Sequence, residues 1–416
     1  MHLGVPRTLA RLLIALGLAA GLGGAVALAA PVRLDDQQLT LLRLPPGFRI
    51  NVFAEGLGYV RFMTFSPQGD LVASSSSPEH YGDRCNGGSC PPNDGRIFIL
   101  PDREHRGVAE RTVVFAEGLD RPQGLTYHDG VLYVAEHGRV IRLLDSTGSL
   151  HADAVEVVVP NLPFNEHPGH WSRSIAFGPD GKLYVSAGSD CNVCQEDDER
   201  RAAISQYNAD GTGGRVFARG LRNAVGLVFQ PLTGELWATV QGRDLLGDDF
   251  PPEYFTVVHE GDHFGWPFCH AGVPDPDFGA LGDCAQTRLP AVQLPAHSSA
   301  LGLVFYTGQQ FPAAYQGDAF VALHGSWNRS VPQGYKIVRI PMAGGTPGPV
   351  EDFISGFLPA QPACNNRADD AGRDTPICRA DAWGRPVGLA VGPDGSMYLS
   401  DDYAGVIYRI SYVGMP

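Results

Sequence analysis

Arginines, histidines and an asparagine recur at one phase of this 416-residue chain. The phase is set by a short phrase, an extended run with Gly-Leu or an equivalent ahead of an aromatic residue or Val. It recurs at residues 59–65, 121–127, 171–177, 223–229, 299–305 and 385–391. At the head of these runs or just before them stand Arg121, His170, Trp171, Arg222, Asn223, His297, Ser298 and Arg385. If the runs are the innermost strands of a radial array, residues at equal offset gather around one point. Guanidinium and amide groups converging there suit a polyanionic, planar ligand. A histidine among them, with an ordinary pKa of about 6.5, suits proton abstraction near neutral pH. Polar residues ending loops would account for any one of these positions and stay open for the set, but three arginines, two histidines and an asparagine in phase favour a cationic polar pocket. The segment Gln241-Gly-Arg-Asp-Leu-Leu-Gly-Asp-Asp249 is oxygen-rich and follows a strand-like run. Such a loop can bind Ca²⁺ through carboxylates and backbone carbonyls, or serve as a plain polar loop.

The elements that must position these residues read as strands. After most copies comes a turn such as Pro179-Asp-Gly181 or Pro393-Asp-Gly395, then a second run such as Leu183-Tyr-Val-Ser186 or Met397-Tyr-Leu-Ser400. Several copies add a third, such as Gly95–Leu100, Tyr335–Ile340 and Gly405–Ile410. Strand, tight turn, strand, short loop and strand make an antiparallel meander. A β-sandwich or two unrelated β domains would not repeat one phrase in the same phase. The expected fold is therefore all-β, a six-bladed β-propeller of four-stranded antiparallel blades, with residues 30–416 forming a single domain. Stretches 75–95, 187–213, 241–296 and 355–384 read as long loops, which in a compact fold are usually functional.

Composition agrees. Gly 52 and Pro 33 favour turns over long helices, and 44% hydrophobic residues are ample for a core. A net charge of −14 speaks against nucleic acid and anionic membrane surfaces as partners. Residues 1–29 read as a signal peptide: Arg7 and Arg11 precede an Ala/Leu/Gly-rich run ending in Ala27-Leu-Ala29. No later run is as long and apolar, so the expectation is a periplasmic or secreted protein with no stable membrane insertion once the signal is removed. The eight cysteines fall in close pairs, Cys85/Cys90, Cys191/Cys194, Cys269/Cys284 and Cys364/Cys378. Eight cysteines allow 105 connectivities, of which nearest-neighbour pairing is the simplest. His259-Glu-Gly-Asp-His263 matches a zinc-protease motif, but Gly261 and Gly265-Trp-Pro267 deny it the helix that chemistry needs.

In order along nearly all of residues 30–416, these segments resemble the soluble pyrroloquinoline quinone (PQQ)-dependent aldose dehydrogenases, the glucose/sorbosone dehydrogenases. The carriers are His170–Gly181, Gly220-Leu-Arg-Asn-Ala-Val-Gly-Leu227, Gln241-Gly-Arg243 and Gly261–Pro267. His324-Gly-Ser-Trp-Asn-Arg329 and Trp383-Gly-Arg-Pro386 are similar to the sorbosone branch. The resemblance implies an exported, PQQ- and calcium-dependent enzyme that oxidises an aldose or sorbosone-like sugar by hydride transfer. Electrons would pass to an external acceptor, a quinone or cytochrome. It implies catalytic roles for His170 and Arg222, and cofactor contacts from Gln123, Arg121, Asn223, His324, Arg329 and Arg385. The carbonyls of Gly242 and Arg243 would hold calcium. Two departures count against glucose itself. His324 and Arg329 stand in blade five where glucose-oxidising members have a lysine, and Gly169 replaces an acidic residue before the histidine. A non-redox binding propeller and a calcium-dependent lactonase remain open, because fold alone does not choose chemistry.

Overall fold

A computed structural model of the protein describes residues 36–77, 92–164, 170–358 and 382–414. Six four-stranded antiparallel sheets surround one axis. Blade one comprises Val60–Phe65, Leu71–Ser75, Gly95–Leu100 and Val113–Leu119, counted outward from the axis. The innermost strands of blades two to six are Leu125–His128, Arg173–Phe177, Asn223–Phe229, Ala300–Phe305 and Pro386–Val391. Each packs against the next, and blade six closes on blade one. The propeller and its blade composition are as the sequence repeat predicts.

The outer strand of blade six is Phe48–Ala54, which pairs antiparallel with Val406–Tyr412. Joining both ends of the described chain in one sheet leaves no unpaired closing edge, which would otherwise tend to open. Phe48–Ala54 carries no copy of the repeated phrase, so sequence repetition could not reveal it. Two of the expected long loops also contain blade strands. Ala203–Tyr207 lies within 187–213, and Glu253–Val258 and Val292–Leu294 lie within 241–296. These strands follow polar or acidic stretches and lack the turn signal that exposes the others.

The phrase has a physical cause. A Cβ on Gly226 would lie 2.6 Å from the Leu301 carbonyl oxygen, and one on Gly388 would lie 2.5 Å from that of Arg61. Neighbouring innermost strands therefore approach closely enough to exclude a side chain. Hydrogen bonds stitch the same level: Ser74 Oγ donates to Gln123 O at 2.7 Å, and Thr239 Oγ1 donates to Leu301 O at 2.5 Å. Register shifts at Val60/Met63, Ala224/Leu227, Ala300/Leu303 and Pro386/Leu389 mark bulges beside these contacts. Bulges of this kind re-aim side chains near sites. Away from the axis, one apolar cluster fills each gap between adjacent blades. Between blades four and five, Trp237 stacks on Phe255 with centroids 4.5 Å apart.

Cys191–Cys194 and Cys269–Cys284 form disulfides, matching two of the four expected pairs. The other two pairs and the expected signal peptide lie outside the described residues. Among the described residues, no helix is long and apolar enough to cross a membrane. The segment 259–263 is not helical and follows the strand Glu253–Val258. Among the described residues, the one group spaced for a metal is Cys191, Cys194 and Glu196, and its two cysteines are bonded to each other.

Candidate active site

At the end of the axis where the innermost strands begin, His170 precedes blade three's strand. Its Nδ1 lies 3.0 Å from Ser189 O and 2.9 Å from Ser189 Oγ. A carbonyl oxygen only accepts, so Nδ1 carries the proton and Nε2 the lone pair, the arrangement a general base needs. Burial, and then the Arg222 guanidinium, push the imidazole well below its ordinary pKa. Gly188 makes room: a Cβ there would sit 2.5 Å from His170 Cβ and against Asn223 Oδ1. Asn223 Oδ1 is itself buried with no hydrogen-bond partner among the described residues. A buried acceptor left unpaired is costly unless a ligand, ion or water satisfies it.

Arg222 is nearly fully buried and firmly held. Nε donates to Asn192 O at 2.9 Å, Nη2 donates to Asn192 Oδ1 at 2.9 Å and to Asp244 Oδ2 at 2.8 Å, and Nη1 donates to Gly242 O. One of the carbonyls expected to hold calcium is thus engaged by a cation. Asp244 also accepts from Asn328 Nδ2 at 2.9 Å, and Asn328 Oδ1 is a second buried oxygen without a partner among the described residues. The carbonyl, carboxylate and amide oxygens of Gly242, Asp244 and Asn328 are of the hard kind that suits calcium.

From Asn223 the contacts run around the axis. Asn223 Nδ2 donates to Gln241 Oε1 at 2.7 Å, Gln241 Nε2 donates to Ser299 Oγ at 2.8 Å, and His324 N donates to Ser299 O at 2.9 Å. Arg385 Nε and Nη2 then donate to the carbonyls of His324 and Gly325 at 3.2 and 2.6 Å. His324 Nε2 meets Asp402 Oδ1 at 2.8 Å, and the other Asp402 oxygen pairs with Arg61. Arg61 Nη2 donates to Gln123 Oε1 at 3.1 Å, which completes the circuit into blade two. Burial and Arg385 press His324 down to about 4. Burial alone would raise the Asp402 carboxyl, but His324 and Arg61 outweigh it and hold the carboxyl low.

His170, Arg222, Asn223, Gln123, His324 and Arg385 therefore join one network, with the Gly242 carbonyl attached. Three expected residues stand apart from it by their side chains. Arg121 meets His137 Nδ1 at 2.9 Å and Asp120 at 3.4 Å. The Arg243 guanidinium turns to Asp275 and Asp277 at 2.6 and 2.5 Å, so its backbone alone could serve a metal. Arg329 donates to the carbonyls of Asp248, Ala296 and Val331 and thereby ties two loops together.

Sequence reasoning missed Arg61 and Asp402. The signal was present two residues further along each phrase, where Arg61, Gln123, Arg173, Val225, Leu301 and Val387 align. Val225, Leu301 and Val387 form an apolar plug on one side of the axis, and Arg61 and Gln123 pair on the other. Arg121, His297 and Ser299, at the head of or just before their phrases, take left-handed backbone with φ of 49°, 60° and 59°. Such strain in residues other than glycine concentrates at functional sites.

Residues 35–325 match the model of a domain family of unknown function, DUF7133, and residues 279–413 match a TrAA12-like family. The chain is 28% identical to an uncharacterized protein of Borreliella burgdorferi over 91% of its own length and 92% of that protein's. It is 32% identical to a PQQ-dependent pyranose dehydrogenase of Coprinopsis cinerea over 51% of its length, a match spanning 32% of that longer protein. The holo PQQ domain of a Coprinopsis cinerea pyranose dehydrogenase superposes with a TM-score of 0.67 at 20% identity, covering 89% of this chain and 97% of that one. The chain belongs to the DUF7133 family, and the resemblance to the soluble PQQ-dependent sugar dehydrogenases holds, in the shared six-bladed propeller.

Proposed function

We propose that the protein is an exported PQQ- and calcium-dependent sugar dehydrogenase, with residues 1–29 a signal peptide and 30–416 the catalytic propeller. The observation that supports this most is the reacting end of the network: His170 with its lone pair on Nε2, Arg222 beside it, and the unpaired Asn223 Oδ1. PQQ, when bound, supplies a two-electron acceptor for a hydride from the sugar. This chain's part is to hold the anionic cofactor and to manage the proton. Arg222, Asn223 and Arg385 would bind the cofactor's oxygens, Gln123 would supply a further polar contact, and the carbonyls of Gly242 and Arg243 would hold Ca²⁺. As the substrate carbon loses hydride, its hydroxyl proton passes to His170 Nε2. Arg222 offsets the negative charge that develops. The substrate is an aldose or sorbosone-like sugar, and electrons leave to an external quinone or cytochrome.

Binding is the first test. A ligand that binds only the folded state raises apparent stability by about 2.7 kcal/mol at a hundredfold excess over Kd. Protein stripped with chelator should melt at a higher temperature with PQQ, and higher again with PQQ plus Ca²⁺. A melting curve that neither addition moves would overturn the cofactor assignment.

A further inference from the structure

The grip on Arg222 comes from an unexpected place. Asn192 lies inside the ring closed by the Cys191–Cys194 disulfide, which spans three positions of sequence. Its carbonyl accepts from Arg222 Nε at 2.9 Å, and its side-chain Oδ1 accepts from Arg222 Nη2 at 2.9 Å and from Asp244 N at 2.8 Å. Its Nδ2 donates to Asp244 O at 3.1 Å. A single side chain thus holds both the guanidinium and the backbone of Asp244, the residue whose carboxylate pairs with that guanidinium. The same small ring reaches the imidazole. Ser189 Oγ donates to Cys191 O at 2.7 Å while lying 2.9 Å from His170 Nδ1. Neither cysteine serves a hydrophobic cluster, and both are half-buried, so the covalent link braces this loop rather than a core.

We infer that Asn192 is a positioning residue, and that the Cys191–Cys194 ring is a clamp that sets Arg222 and, through Ser189, His170. The clamp rests on the catalytic reading above. It works because a residue in a four-residue covalent ring has few alternative backbone conformations, so its two acceptors remain where a guanidinium can use both. Orientation of this kind governs rate steeply, since a misplacement of about 1 Å can cost about 10²-fold. With the bond reduced, the ring opens and the Asn192 carbonyl and side chain are no longer held together.

Four forms of the full-length protein test this: wild type, Asn192→Ala, Asn192→Asp and Arg222→Ala. A Cys191→Ser/Cys194→Ser variant, which opens this ring and leaves Cys269–Cys284 bonded, gives a fifth. PQQ affinity is read by equilibrium titration, Arg222 guanidinium proton exchange by NMR on arginine-labelled protein, and kcat and KM with a sugar the wild type oxidises. Asn192→Ala and the ring-opened variant should show faster Arg222 exchange and kcat lower by about 10- to 100-fold, with the folded β structure retained by circular dichroism. Asn192→Asp keeps both contacts that Oδ1 accepts but sets a carboxylate oxygen against the Asp244 carbonyl in place of the Nδ2 donor, so it should recover only part of the rate. If Asn192→Ala and ring opening leave Arg222 exchange and kcat at wild-type values, the clamp is overturned. If Arg222→Ala itself leaves PQQ binding and turnover intact, the catalytic reading fails instead, and exchange still reports whether Asn192 holds Arg222.

Discussion

His170→Ala is expected to lower kcat by roughly 10²–10⁴ while leaving PQQ affinity and the melting temperature near wild type. The imidazole's structural contacts are few. Nδ1 faces Ser189, and the bond from Arg173 Nη1 goes to the His170 backbone carbonyl at 2.7 Å, which alanine retains. What the variant loses is the Nε2 lone pair. The pH profile adds a second signature. Burial and Arg222 hold the His170 pKa below the ordinary value, so the ring stays neutral and able to accept a proton as pH falls past about 6.5. The acid limb of kcat/KM should therefore lie below 6.5 in wild type, with activity lost as pH falls through it, and should vanish in His170→Ala. Near-normal turnover in the variant would move the base elsewhere, with His297 and His324 the next histidines on this face.

The second large effect concerns stability. Arg61→Ala should destabilise the fold by about 3–5 kcal/mol, because it leaves the Asp402 carboxylate buried without its cation. Asp402 is fully buried, and the Arg61 guanidinium lies over the rings of Tyr59 and Trp171, 5.1 and 5.4 Å from their centroids. His324 remains as a partner, but burial resists its protonation. Replacing both partners, as Arg61→Met with Asp402→Asn, removes the uncompensated charge and should recover much of the loss. Denaturant unfolding monitored by tryptophan fluorescence would measure it. A single Arg61→Ala variant as stable as wild type would show that the pair contributes no net stability.

The sequence announced the parts of this protein that repeat and concealed the parts that do not. Gly124, Gly226, Gly302 and Gly388 recur because adjacent strands leave no room for a Cβ, so one steric constraint wrote the glycine into four of the six copies, with Phe62 and Ser174 in the other two. That made the propeller legible, and with it the phase of His170, Arg222, Asn223 and Arg385. Phe48–Ala54 closes the ring through backbone pairing, which imposes no particular residue, so it left no mark. Arg61 and Asp402 were hidden differently. Each looks ordinary within its own strand, and only the turn of the axis brings residues separated by 341 positions into contact. Arg121, Arg243 and Arg329 show the converse. Phase and motif place a residue near the axis, but the side chain follows its nearest carboxylate or carbonyl. For Arg243 those are Asp275 and Asp277, supplied by a loop that no motif anticipates.

The most direct measurement of the central claim is sugar-dependent reduction of an acceptor dye by the purified protein, across a panel of aldoses and related sugars, with and without added PQQ and Ca²⁺. The account predicts that at least one sugar drives dye reduction, that the rate requires PQQ, and that Arg222→Ala and His170→Ala both depress it. Protein that binds PQQ yet reduces no dye with any sugar, or that does so equally well without Arg222 and His170, would contradict it.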